Sequence, residues 1–260
     1  NSKEPLAISN EKLIKALKTI SWCDSDQYLN FTKKPFLFSL NAASLFRSLA
    51  IWIRITLGKE NLYYYSEHNI YSTFNQNPKI TQQILQIFRL KFNLQEKNKQ
   101  LIDKYEKTKT DTIKEINQIM NKVQRRILKT SIHFIDCCLR TNYFLHSKTG
   151  LAFRLNPDIL DNKYYTKKPF TIIFIVGRDY RFFHIRWRDI ARGGLRVIIP
   201  KATTEYENVI DGLLDEVYGL SYAQQLKNKD IPEGGAKGAI VIKPGGDKTR
   251  VVKAAINALL

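Results

Sequence analysis

The sequence predicts an α/β (α+β) protein, with a mainly helical N-terminal region followed by a mixed β-sheet domain with flanking helices. Three observations carry that prediction. Apolar residues recur at helical spacing through residues 1–130. Near Lys148 the texture changes to alternating, β-branched and aromatic runs. Nine of the 12 glycines fall at or after Gly193, in a segment that reads as strand, helix, glycine loop, strand and helix.

Taken in order, Leu13, Ile14, Leu17 and Ile20 share one helical face, as do Ile80, Ile84, Ile87 and Phe88. The polar stretch from Leu94 to Thr112 reads as a loop or an exposed helix. A longer stripe of Ile116, Ile119, Met120, Val123, Ile127, Phe134 and Ile135 has Lys, Glu, Gln, Asn and Asp between its members, the pattern of a core-facing helix with a solvated back. Leu151–Leu155 alternates and reads as a strand. Phe170–Val176 is apolar and β-rich. Gly177-Arg178-Asp179-Tyr180 reads as a turn, and Phe182–Arg188 as its hairpin partner. Leu195–Ile199 is a further candidate strand. Val209, Leu213, Val217 and Leu220 place a helix between Glu205 and Lys229, and Pro232 breaks the pattern. Ala239–Ile242 reads as a short strand, and Asp247 as the cap of a helix running to Leu260.

Composition narrows the class. The hydrophobic fraction of 43% and aromatic fraction of 12% exclude a disordered chain. Twelve Gly, eight Pro and three Cys exclude a collagen or a disulfide scaffold. Cys23 is far from Cys137 and Cys138, and the four His form no paired motif, so no metal site is expected. No run of about 18 apolar residues occurs, so no membrane span is expected. The net charge of +18 raises the possibility of nucleic acid. That charge is spread, however, with +11 on residues 1–130 and +7 on residues 131–260, and acids are mixed in throughout. Solvated Lys-rich faces account for it, and a nucleic-acid partner is not expected.

The glycines mark where chemistry concentrates. Gly193-Gly194 and Gly234-Gly235 are each bracketed by basic residues. Glycine permits turns and close backbone approach to a ligand. There is no GxGxxG, so no dinucleotide fingerprint. Gly234-Gly235-Ala236-Lys237-Gly238 lacks the phosphate-loop spacing, and Lys237 is followed by Gly238 rather than Ser or Thr. Small neighbours let a substrate carbon approach the Lys237 amine and leave that amine partly desolvated, the setting for proton transfer.

Arg192-Gly193-Gly194-Leu195-Arg196, then Gln224-Gln225-Leu226-Lys227-Asn228, then Pro232 and Gly234-Gly235-Ala236-Lys237-Gly238 resemble, in that order, the substrate domain of glutamate dehydrogenases. The longer phrases Phe183–Arg196 and Lys227–Gly235, with Leu151–Pro157, resemble the large NAD-dependent enzymes of eukaryotic mitochondria. The resemblance covers about residues 130–246 and fades toward the N-terminus.

The resemblance implies oxidative deamination of L-glutamate to 2-oxoglutarate and ammonium, with NAD as cofactor, in the mitochondrial matrix. It implies a dicarboxylate held by cations. Arg192 stands where the family has lysine and would grip a carboxylate with its planar fork, beside Gly193 and Gly194. Lys227 would hold the α-carboxylate, with Lys229 as its rival, and Gln224 lies one helical turn earlier on the same side. Arg196 is expected in a structural ion pair. Lys237 matches the family's catalytic lysine, which activates water or ammonia and polarises the carbonyl or iminium centre. Ala239 replaces a common glycine.

The chain is expected to divide into a helical region, 1–130, and a C-terminally incomplete substrate-binding, dimerising domain, 131–260. The nucleotide-binding domain and a proton-donating aspartate are expected beyond Leu260. The piece alone is expected to be inactive and the enzyme a homo-oligomer or part of a larger assembly. The alternative is an inactive glutamate-dehydrogenase-like structural or binding subunit.

Overall fold

A computed structural model describes residues 27–92, 99–227 and 230–259. The helical stripe at 13–20, Cys23, Lys229 and Leu260 lie outside the described residues. Among the described residues, seven α-helices and a six-stranded mixed sheet form the fold, bearing out the predicted class.

A short 3₁₀ turn, Gln27–Thr32, leads into α1, Leu40–Leu57, whose N-terminus is capped by Ser39. Most of α1 is buried, and Trp52 meets the rings of Phe134, Phe174 and Phe183 at 5.5, 5.8 and 6.1 Å. Helices α2, Glu67–Gln76, and α3, Pro78–Lys91, follow, the first capped by Ser66 and the second opened by proline. Of the stretch from Leu94 to Thr112, read as loop or exposed helix, residues 94–98 lie outside the described residues and the rest falls in α4, Lys99–Asn117, in which only Thr112 and Ile116 are buried. The long stripe from Ile116 to Ile135 is two helices rather than one. It is interrupted at Asn121, whose side chain accepts from the amides of Val123 and Gln124 and starts α5, Lys122–Cys137. Met120, expected on the apolar stripe, sits in this break and is 92% exposed.

Strands β1, Cys138–Thr141, β2, Leu151–Leu155, β3, Thr171–Val176, and β4, Tyr180–Arg186, form an antiparallel meander. Then come β5, Ala191–Ile198, α6, Thr203–Lys227, β6, Gly234–Ile242, and α7, Lys248–Leu259, whose first turn is capped by Asp247. The sheet order is β1-β2-β3-β4-β6-β5, with β5 parallel to β6 at one edge and β6 antiparallel to β4. Helix α6 is the crossover between the parallel pair.

Two expectations about glycine are corrected here. Strand β5 begins four residues before Leu195 and β6 five before Ala239, so Gly193-Gly194 and Gly234-Gly235 lie inside strands and not in loops. The reason is proximity. A Cβ on Gly193 would lie 1.6 Å from the carbonyl oxygen of Ala236, and one on Gly235 would lie 2.2 Å from the backbone nitrogen of Gln225. Of the glycines, only Gly245, at φ +80°, has the left-handed backbone of a turn.

The sheet has two covered faces. Phe153, Phe174, Phe183, Ile185, Ala239 and Val241 join α1, α5 and α6 in one apolar core. On the other face Ile175, Tyr180, Phe182, Ile240 and Ile242 pack on Val251 and Ala255 of α7. Helix α6 turns Tyr206, Ile210, Leu213, Leu214, Val217 and Ser221 inward. Its outer side is tied down by carboxylates. Arg54 of α1 grips both oxygens of Asp211 at 2.8 and 2.9 Å, Lys59 pairs with Asp215, and Arg196 pairs with Glu216, the structural ion pair expected for it.

Gly212 and Gly219 face solvent in α6, and a Cβ on either would meet nothing within 4 Å. Gly219→Ala is therefore expected to stabilise the fold by about 0.5–1 kcal/mol, read as a higher urea midpoint. An unchanged or lower midpoint would show a hidden contact at that position.

Candidate active site at the C-terminal end of the crossover helix

The parallel ladder aligns the candidate residues. Arg192 is in register with Gly235, and Gly194 with Lys237. Side chains alternate across a strand, so positions 192, 194, 235 and 237 face the same way, toward α6. Ile185, also in register with Lys237, is part of the core under that helix.

Lys237 is half-buried, and its ammonium reaches over β5. A Cβ on Gly194 would lie 3.0 Å from Nζ, with no other atom within 4 Å. The missing side chain at position 194 thus leaves room above an edge strand for the lysine and for whatever it meets. No carboxylate among the described residues pairs with Lys237. Arg192 is exposed and in ion-pair contact with Glu233, Nε to Oε2 3.3 Å.

The last turn of α6 closes the other side of the site. Its backbone at Gln224 and Gln225 runs directly over Gly235. The Gly235 N–H donates to Oε1 of Gln225 at 2.7 Å, and its carbonyl accepts from Trp187 N–H at 3.0 Å. The Trp187 indole donates to Ser221 Oγ at 3.0 Å, which in turn donates to the Tyr218 carbonyl at 2.9 Å. The peptide two residues before Lys237 is therefore fixed from both sides. Gln224 is half-buried beside it, and Lys227, the last residue of α6, is exposed and makes no hydrogen bond or ion pair among the described residues. The structure thus brings Arg192, Gly194, Gln224 and Lys237 together. It leaves Lys227 at the helix end, with no hydrogen bond or ion pair among the described residues, and places Gly193 on the opposite face.

Gln225, Trp187, Ser221 and Glu233 are parts of this arrangement that the motifs do not single out. Gln225 had a signal. Val217, Ser221 and Gln225 recur every four residues along the buried side of α6. Trp187 and Glu233 act through contacts that local sequence does not encode.

Away from the site, burial shifts two cysteines at the far edge of the sheet and one histidine on β4. Burial pushes the Cys137 and Cys138 thiols up to about 11 and about 12, which keeps them protonated. His184, on β4, has a buried Nδ1 with no hydrogen-bond partner, and burial with nearby Arg186 pushes its imidazole down to about 4. Folded His184 is therefore neutral at pH 7, while the unfolded residue titrates near 6.5. Its contribution to stability is complete above that value and is lost as pH falls toward 4, by up to about 3 kcal/mol. His184→Asn should flatten the acid limb of stability against pH by that amount; parallel limbs in variant and wild type would contradict the burial argument.

The described residues do not form a dinucleotide cradle. Gly234, Gly235 and Gly238 have their backbone in the ladder with β4 and β5, not free at a helix N-terminus. What they frame is a cationic surface open at a strand edge, suited to a small anionic substrate.

Comparison with known proteins agrees. Residues 111–258 match the family described as bacterial NAD-glutamate dehydrogenase, catalytic domain. Glutamate dehydrogenase 2 of Dictyostelium discoideum is 34% identical over 198 residues, which are 75% of this chain and 19% of that protein. The NAD-specific glutamate dehydrogenase of Saccharomyces cerevisiae is 45% identical over 120 residues, 46% of this chain and 11% of that protein. That of Halomonas elongata is 28% identical over 201 residues, 74% of this chain and 12% of that protein. The chain thus spans about a fifth or less of the length of these relatives. With the motif order, the aligned strands and the lysine over Gly194, these matches show that the chain belongs to the NAD-specific glutamate dehydrogenase family.

Proposed function

We propose that this chain is the substrate side of an NAD-dependent glutamate dehydrogenase, which converts L-glutamate to 2-oxoglutarate and ammonium. The observation that carries the reading is the unpaired Lys237 ammonium lying over Gly194, with Arg192 on the same face and the end of α6 above. In this reading Arg192 leaves Glu233 and takes the side-chain carboxylate of the substrate with its fork. Lys227 or Lys229 takes the α-carboxylate, and Gln224 contributes from the preceding turn. Lys237 polarises the carbonyl or iminium carbon and passes protons to and from the attacking water or ammonia. Two held carboxylates leave the α-carbon a fixed place beside that amine, which is the main contribution these residues make to the rate. NAD, the hydride acceptor, is held by residues other than those described.

Residues 131–260 act in this reading as the substrate-binding and dimerising domain, preceded by the helical region. The 260 residues alone bind glutamate weakly and do not turn over. Identities of 45% and 34% with eukaryotic relatives, against 28% with a bacterial one, favour the eukaryotic subtype; a mitochondrial matrix location and a homo-oligomer belong to the same proposal and rest on the motif resemblance alone.

The test is glutamate-dependent NADH formation by the full-length protein, which should be present in wild type. Lys227→Ala should raise KM for glutamate about tenfold or more with kcat within a few-fold of wild type, the pattern for a lost ground-state contact. An unchanged KM would pass the role to Lys229. A full-length protein that binds glutamate without turning it over would favour the inactive-subunit reading.

A further inference from the structure

The side of the sheet away from Lys237 carries a second concentration of cations. Arg140 on β1 and Arg154 on β2 are cross-strand partners. Arg154 is in register with Ile173, which packs with the α7 cluster, so both arginines point to the α7 face. Arg186 on β4 is in register with Thr171 two positions along β3, on the same face, and the Arg154 Nε donates to Thr171 Oγ1 at 3.2 Å. All three line one cavity of about 730 Å³, with Lys148 on its wall and Phe170 under the Arg154 guanidinium at 5.8 Å. The volume lies within the range of small-molecule sites.

Arg54, Arg126, Arg192, Arg196 and Arg250 each hold a carboxylate. No carboxylate among the described residues pairs with Arg140, Arg154 or Arg186. Asp189 also lines the cavity, but it offers Arg186 only its backbone carbonyl, and its carboxylate accepts from the Ile190 amide. Like charges directly opposed on neighbouring strands destabilise a sheet. Three guanidinium groups gathered without a carboxylate paired to any of them are accounted for by an anion that arrives from outside. The apolar wall provided by Phe170, Ile173 and the end of α7 suits a carbon skeleton rather than a bare ion.

We infer that this cavity is a second ligand site, on the opposite face of the sheet from the candidate active site and centred on other strands, and that it binds a small organic anion bearing at least two oxyanion groups. Planar guanidinium forks suit both carboxylates and phosphates. The inference does not depend on the role proposed for Lys237.

Isothermal titration of the full-length protein with inorganic pyrophosphate and, separately, with tricarballylate tests it. At least one probe should bind, and whichever binds more tightly identifies phosphate or carboxylate as the preferred group. The affinity should fall by at least about tenfold in an Arg140→Ser, Arg154→Gln double variant and stay unchanged in Lys237→Ala. If the double variant does not fold, Arg186→Gln should show the loss. Failure of both probes to bind would overturn the inference. So would equal affinity in the folded arginine variants, or loss of binding with Lys237→Ala alone, which would assign the anion to the active site.

Discussion

Lys237→Ala in the full-length protein is expected to lower kcat for glutamate oxidation by about 10²–10⁴-fold, the range for removing a positioned proton-transfer group. The fold should survive. Lys237 makes no hydrogen bond or ion pair among the described residues, and its ammonium lies over the empty position of Gly194 at an edge strand. Unfolding free energy should therefore change by no more than about 0.5 kcal/mol, as for other surface substitutions. Lys237→Arg separates charge from proton transfer. Arginine keeps the positive charge but cannot give up a proton in this range, so it should retain glutamate binding and remain as slow as the alanine variant. Activity in Lys237→Arg close to wild type would mean that the residue supplies charge alone. Near-normal kcat in Lys237→Ala would remove it from the chemistry.

Gly235→Ala is expected to produce a large loss of stability. The new methyl would lie 2.2 Å from the backbone nitrogen of Gln225 and 2.5 Å from its Cα. These are backbone atoms of a helix, so no side chain can swing away. Either the last turn of α6 lifts or β6 shifts, and the 2.7 Å bond from Gly235 N–H to Gln225 stretches in both cases. A loss of about 3 kcal/mol or more is expected, in the class of overpacked cores. Gly219→Ala, on the solvent side of the same helix, is the matched control and should move the opposite way. Urea midpoints of the two variants, read by circular dichroism, decide the matter, and a Gly235→Ala midpoint equal to wild type would show that α6 is free to move off the strand. Because Lys237 follows two residues later, the surviving folded protein should also turn over more slowly.

Much of the architecture is written locally. Strand β2 has the bounds Leu151–Leu155 that alternation assigns, and the β3–β4 hairpin closes at the turn its glycine and aspartate announce. Asp247 caps the helix it was expected to cap. Local signals failed where distant chain decides the outcome. Glycine pairs read as loops because turns are the commonest local use of glycine, whereas Gly193 and Gly235 are small because Ala236 and Gln225 crowd them from other elements. Met120 fits an apolar stripe by spacing, but Asn121 restarts the helix and leaves it in solvent. That Lys237, Arg192 and Gln224 lie near one another was legible from motif order. That Gln225 and Trp187 clamp the peptide at Gly235 was not, because it depends on how α6 lies across the sheet.

The pairing of Arg192 with Glu233 bears on how the protein meets ionic surroundings. An arginine that already holds a carboxylate acquires the next one by exchange, so the number of ion pairs is the same before and after. Dissolved salt weakens the departing pair and the arriving pair alike, and the two effects largely offset each other. Capture at Lys227, which makes no ion pair among the described residues, has no such compensation. Within one binding event, one end of a dicarboxylate would be buffered against changes in ionic strength while the other would feel them in full.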